Sequence, residues 1–317
     1  MTKLSELNSF ELKKFLDEMQ KTPFLYRDTL NFDSENISIG TEIEVENVKL
    51  KNIEKYLKEY PNWEIKQDTS LRNGLEIVSP VFYNTKKDWQ TLKKILVELK
   101  REKANFYYHA ASHFHIGAHV LGADLSSWKQ FLFFYTYYED IIMRFFYGER
   151  IRERTTAKTY AAPLASLLCS YLDEIKNFQT NITLYDKLPL SRSYAINFLD
   201  ARFSSLDKMF YHSTIEYRGP NGTCDERIWQ NNINLGVFLI LKAKKNNKEW
   251  VNYYELLKKH PITDGRILFY KYIHLKKALE FCDILFENDL DKIYFLKQYL
   301  KNYEEEKTLS FSKKIIF

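Results

Sequence analysis

Apolar and polar residues alternate with period two in several short stretches of this chain and recur with helical spacing in others. In "NISIGTEIEVENVKL", residues 36–50, Ile39, Thr41, Ile43 and Val45 fall on one face of a strand, and Gly40, Glu42, Glu44 and Glu46 on the other. The stretches "WEIKQDTS", "LEIVSPV", "YYHAASHFHIGAHVLG", "SRSYAINFL" and "HSTIEYRGPNG" read as further strands, with Asn73-Gly74 marking a turn between the first two of them. Helical spacing predicts helices from about Leu7 to Met19, over "KNIEKYLKEY" up to Pro61, and from about Lys86 to Lys103. A long helix follows from Leu125, capped by Asp124 and ended by Gly148. After the basic loop "ERIRERTTAKTYAAP", Pro163 opens another helix, and from Asp225 onward the chain is mostly helical.

Strands that return through both turns and helices predict an α+β fold, one domain over residues 1–317 with a largely antiparallel sheet and a helical C-terminal part. At 317 residues, 45% hydrophobic and 28% charged, the chain can bury a large core. No apolar run approaches the roughly 20 residues needed to span a bilayer, and the N-terminal stretch lacks the apolar segment of a signal peptide, so a cytoplasmic location is expected. Cys169, Cys224 and Cys282 are odd in number, widely spaced and form no CxxC pair; they read as reduced thiols. A formal net charge of +5, spread along the chain, is too mild to indicate nucleic-acid binding.

The acidic face of the first strand is repeated elsewhere. His113, His115, Gly117 and His119 share one face of "HFHIGAH", Thr214, Glu216 and Arg218 share one face of "TIEYRG", and Asp68 and Glu76 flank a turn. If these faces converge, their carboxylates repel one another unless cations sit among them. A carboxylate-rich set with one imidazole suits Mg²⁺ or Mn²⁺ better than zinc. His109, His212, His260 and His274 read as ordinary polar or core residues, and His119 joins them despite its place on the strand face. Two other classes fit the same residues: a metal-dependent hydrolase or oxygenase built on HxH and carboxylates, and a non-catalytic binding protein.

The ordered series "GTEIEVE", "DTS" with "LEIVSP", "HFHIGA", "RSYAIN" and "TIEYRGPNGT" resembles the amidoligase family of the glutamine synthetase and glutamate–cysteine ligase superfamily. The resemblance runs from about residue 37 to residue 234 and leaves a mostly helical extension over about 235–317. It implies a curved antiparallel catalytic sheet with flanking helices, and an ATP- and Mg²⁺-dependent carboxylate–amine ligase acting through an acyl phosphate. By the same resemblance Glu42, Glu44, Glu76, Glu216 and one of His113 and His115, with His115 preferred, bind metal. Arg218 and Arg192 bind phosphate and act in catalysis, and Asp68 is a candidate base. Arg154, with Tyr160, resembles a second basic motif usually written with a cysteine where Ala161 stands here. The partners implied are a carboxylate and an amine, which could be a small molecule, a peptide or a protein side chain; neither nucleic acid nor membrane is expected.

Overall fold

Each acidic, histidine-bearing or E-x-R stretch contributes a strand to one sheet. In chain order the strands are β1 (Ile39–Glu46), β2 (Glu64–Gln67), β3 (Gly74–Val78), β4 (Ser112–Gly117), β5 (Ile196–Asn197), an antiparallel pair of β6 (Phe203–Ser205) and β7 (Lys208–Met209), β8 (Thr214–Tyr217), and a separate parallel pair of β9 (Ile273–His274) and β10 (Ile315–Ile316). The main sheet runs β2-β3-β1-β4-β8-β5, open and antiparallel at every pairing. The computed structural model describes residues 3–33, 35–106, 109–147, 157–180, 184, 187–199, 201, 203–205, 208–209, 213–262, 273–300 and 315–316.

The helices are α1 (Ser9–Lys21), α2 (Leu50–Leu57), α3 (Lys86–Arg101), α4 (Leu125–Tyr147), α5 (Ala157–Tyr160), α6 (Ala165–Ser170), α7 (Leu172–Asn177), α8 (Glu226–Lys245), α9 (Trp250–Lys259), α10 (Leu275–Leu285) and α11 (Asp289–Tyr299). Their starts follow local chemistry. Asn8 caps α1 in a capping box with Glu11, Thr85 caps α3, Asp225 caps α8, and Asp124 accepts the Ser126 and Ser127 amides to begin α4. Gly148 lies outside the described residues.

Several strands are shorter than the alternation suggests. Among the described residues of 107–122 only Ser112–Gly117 is strand, and it leads into a 3₁₀ turn at Ala118–Val120. Of "SRSYAINFL" only Ile196–Asn197 pairs in the sheet, because Ser193 turns back to the Ser191 hydroxyl. The β2–β3 connection is a six-residue loop in which Asn73, at φ 48°, supplies the left-handed residue. Gly74 meets a different need: a Cβ there would lie 2.6 Å from the Val45 carbonyl.

Ile43, Val45, Leu75, Ile77, Phe114, Ile116, Ile215 and Tyr217 form the buried apolar face of the sheet. Trp89, Leu92, Ile95, Leu96 and Leu99 of α3 form one buried helical stripe, and α8, which packs on β4, belongs to the same core. Its Gly236 allows the closest approach: a Cβ would come within 2.5 Å of the Phe114 ring, and the backbone carbonyl accepts the Tyr217 hydroxyl at 3.1 Å. Phe114 and Tyr217 stand opposite each other in the register with rings stacked at 4.6 Å. That aromatic pair fixes the register that turns His113, His115, Glu216 and Arg218 to the other face. Behind α8 lies α4, apolar nearly all round and buried accordingly, with α9 and α11 packed on it.

Candidate active site

The strand register sets the site. Glu44 lies opposite Glu76, Glu42 opposite His113, Gly40 opposite His115, and His115 opposite Glu216, which in turn faces Asn197. All these residues therefore stand on the non-core face of four neighbouring strands and of edge strand β5. Residues 42 and 216, far apart in sequence, arrive on the same side of the sheet.

His113 is the hub. Its Nδ1 lies 3.5 Å from Glu42 Oε2, 3.6 Å from Glu44 Oε1 and 3.8 Å from Glu216 Oε1, and its side chain is only 4% exposed. One ligand atom each from Glu42, His113 and Glu216 fall within 4.8 Å of one another. Both histidines were open from sequence, with His115 preferred; in the fold His113 is the one ringed by carboxylates. His115 holds the next position, Nδ1 3.1 Å from the Thr214 hydroxyl and Nε2 3.2 Å from Glu42 Oε1. The second contact lies off the hydrogen-bonding direction, so it acts as charge attraction.

Neighbouring groups orient the carboxylates. The Ala111 amide donates to Glu44 Oε2 at 2.7 Å, which leaves Oε1 toward His113. Asn197 donates to Glu216 Oε2 at 2.7 Å, and the Arg218 guanidinium donates to Oε1 of the same carboxylate. Sequence reading placed "RSYAIN" near the site without giving Asn197 a role; the signal was its place in a strand pairing with the E-x-R strand. Glu46, on the same face and fully buried, instead accepts the Arg72 amide at 3.0 Å and holds the β2–β3 loop.

Charge is unevenly distributed over this face. Burial works against the charge of Glu42, but the two facing imidazoles outweigh it and hold its carboxyl far below the usual range. Glu216 is likewise buried, and the attraction of His113, Arg218 and His115 with the Asn197 hydrogen bond brings it down. For His115 burial favours the neutral ring, yet Glu42 and Glu216 raise its pKa. Glu76 is the loser: burial, then the charges of Glu42 and Glu44, push it up to about 8, and Lys66 across the register offsets little of this. Four carboxylates thus crowd a face with too little positive charge, so that one of them keeps its proton at neutral pH. This donor set fits a hard divalent cation, Mg²⁺ or Mn²⁺, which would be held by Glu42, His113 and Glu216 with Glu44 and Glu76 adjacent.

Two of the remaining predicted residues lie in loops beside the strands. Asp68 begins the β2–β3 loop, where Oδ1 accepts the Ser70 amide at 2.7 Å. Arg192 is exposed in the turn before β5, five residues ahead of Asn197. Arg154 lies outside the described residues. A cavity of about 860 Å³ lined in part by Tyr26, Lys93, Lys100, Phe106 and Arg227 includes none of the residues around His113. Among the described residues no helix is long and apolar enough to cross a membrane.

A mixed-polarity sheet face that gathers carboxylates, imidazoles and an arginine defines a cation-competent site on an α+β fold. The chain belongs to the amidoligase family: the profile of a family described as "Putative amidoligase enzyme" matches residues 62–240, more than half of the sequence. The match takes in Glu76, His113, His115, Asn197, Glu216 and Arg218, while β1, with Glu42 and Glu44, lies ahead of it and joins them through the register. A solved novel glutamine synthase homologue is similar at 12% identity and a TM-score of 0.40, over 87% of this chain and 68% of that one. No curated protein matches. Family membership supports a ligase-type role.

Proposed function

We propose that the protein is an ATP- and Mg²⁺-dependent carboxylate–amine ligase that works through an acyl phosphate. The observation that carries this reading is the ring of Glu42, Glu44 and Glu216 around His113 with Arg218 held at its edge. A divalent cation bound there would neutralise phosphate oxygens and the charge that develops on them. The chain's own residues supply the rest. Arg218, a planar fork that stays charged, lies beside Glu216 and is our candidate to receive the transferring phosphoryl group, and Arg192 and Arg154 are our candidates for further phosphate contacts.

In the first step a substrate carboxylate oxygen bonds to the γ-phosphorus of ATP and the bond to the ADP oxygen breaks. In the second the amine nitrogen bonds to the acyl carbon, the acyl–phosphate C–O bond breaks, phosphate leaves, and the amine gives up a proton. Asp68 is our candidate acceptor for that proton, since the turn engages only its Oδ1. Dependence on ATP fits a cytoplasmic setting. The acceptor amine could belong to an amino acid, a peptide or a protein side chain.

The test is ADP release with Mg²⁺ over a panel of carboxylates, with and without amines. The expected result is amine-dependent ADP release, lost with EDTA and lowered on the order of 10²-fold in Arg218→Lys, which keeps the charge but not the fork. Metal-dependent hydrolysis that ignores ATP would overturn the proposal in favour of a hydrolase.

A further inference from the structure

Glu139 lies in the middle of α4, is fully buried, and is remote in sequence from every residue of the site. Such a carboxylate needs partners to offset its lost hydration. It finds two backbone amides: Leu164 donates to Oε1 at 2.8 Å and Ala165 to Oε2 at 2.5 Å. Burial raises its pKa, while the two amides, one on each oxygen, favour the ionised form. One turn along α4, Met143 packs with Ala161, Ala165 and Ala195 in a small apolar cluster of its own. Together Glu139 and Met143 fasten residues 160–165 to α4.

The other end of this strap reaches the site. Ala162 bridges in parallel to Tyr194, donating to the Ser193 carbonyl and accepting from the Ala195 amide. The Ala195 carbonyl accepts the amides of Arg218 and Gly219. Finally, the Tyr160 carbonyl accepts from Arg218 Nε at 3.3 Å, while the same guanidinium donates to Glu216. The guanidinium is thus held between a carboxylate of the acidic face and a backbone carbonyl of the strap. Extended, an Arg side chain has many rotamers, and a fork aimed at a phosphate must have few.

The geometry points to Glu139 as a positioning residue for Arg218: its carboxylate anchors the 160–165 strap to α4, and the strap's Tyr160 carbonyl fixes the guanidinium beside Glu216. The link itself rests on the hydrogen bonds alone; its catalytic consequence rests on the ligase reading above. Glu139→Gln is the informative change, because an amide in place of the carboxylate presents an N–H to one of the two strap amides and leaves it without an acceptor. Glu139→Asp keeps a carboxyl group with two acceptor oxygens and shortens the reach, and serves where the glutamine variant does not fold.

The experiment has two arms on the full-length protein. The Nε–H resonance of Arg218, identified by its disappearance in Arg218→Lys, is followed by ¹⁵N NMR in both Glu139 variants. It is expected to shift or broaden while the other arginine resonances stay in place. In the second arm kcat for ADP release is expected to fall about 10-fold in Glu139→Gln and less in Glu139→Asp, with Mn²⁺ affinity within about twofold of wild type. An Arg218 resonance unmoved in the folded variants overturns the positioning role whatever turnover does, including a fall in stability alone. A moved resonance in a protein that releases no ADP from ATP under any condition overturns the ligase reading and leaves the positioning role standing.

Discussion

The crowding of negative charge on the sheet face has a thermodynamic consequence centred on Glu76. A free glutamate titrates near 4.5; in the fold, burial and the neighbouring Glu42 and Glu44 raise Glu76 to about 8. The native protein therefore binds this proton more tightly than the unfolded chain does. The stability it contributes is fully present below about pH 4.5 and is lost as pH rises toward 8. At 1.36 kcal/mol per unit, the part lost between pH 6 and pH 8 is at most about 2.3 kcal/mol, and partial exposure of the side chain brings it to about 1 kcal/mol. For a chain of this size that corresponds to a Tm change of about 2 °C. Because His115 and Glu139 are also raised and share the sign, the assay compares wild type with Glu76→Gln. By differential scanning fluorimetry without divalent ions, wild type should lose about 2 °C more than Glu76→Gln from pH 6 to pH 8. Mg²⁺ or Mn²⁺ should remove most of that difference in wild type, since a bound cation replaces the proton, and should stabilise wild type more at pH 8 than at pH 6. Parallel pH profiles for the two proteins without metal, or a profile in wild type that metal leaves unchanged, would refute the crowded-carboxylate account.

The two histidines should separate in metal titrations. His113→Ala should weaken Mn²⁺ binding by more than about 100-fold, beyond what the loss of an outer partner costs, while His115→Ala, which removes a partner of Glu42, should weaken it by about 10-fold; equal losses would contradict the placement of His113 at the hub. Gly236→Ala puts a methyl against the Phe114 ring, with a Cβ at 2.5 Å, beneath the site. It should cost about 1–3 kcal/mol in chemical denaturation, and a neutral result would mean that α8 does not close on the sheet as described.

How much of this was legible in the sequence follows from the period of each element. A period of two sorts residues by face without tertiary information, so the acidic line Glu42, Glu44, Glu46 and the pairs His113/His115 and Glu216/Arg218 could be set on one face of each strand. That the faces converge needed the sheet order, which places β8 and β3 on either side of the β1–β4 pair. The same periodicity misled on Glu46: it shares the face of Glu42, but at the strand's end a loop closes over it and the Arg72 amide takes its carboxylate. Helical stretches were less informative. Asp291, 1% exposed, accepts from Arg27, Asn31, Asn234 and Asn288 in a buried network linking α11 to α8 and the N-terminal segment. In the sequence these are ordinary polar residues on helices and loops, indistinguishable from a solvated face.

Glu139 shows the same limit at a place that bears on the site. In "FFYTYYEDIIMRFFY" a glutamate followed by an aspartate in an aromatic helix marks no face by itself, because α4 is covered on nearly every side. Its partners are backbone amides, which carry no sequence signal, and they lie 25 and 26 residues further on. A strand-to-strand site can be read from side-chain alternation because both partners are side chains of known orientation. A carboxylate that holds main chain cannot, since any residue could supply the amide. Besides the Asp291 network, the parts of this protein hidden in its sequence include those in which a polar side chain serves the backbone: Glu46 on the β2–β3 loop, Lys129 on the Lys176 and Phe178 carbonyls, and Glu139 on the strap. Those that stood out, around His113, are the ones in which side chains gather to serve something other than the chain itself.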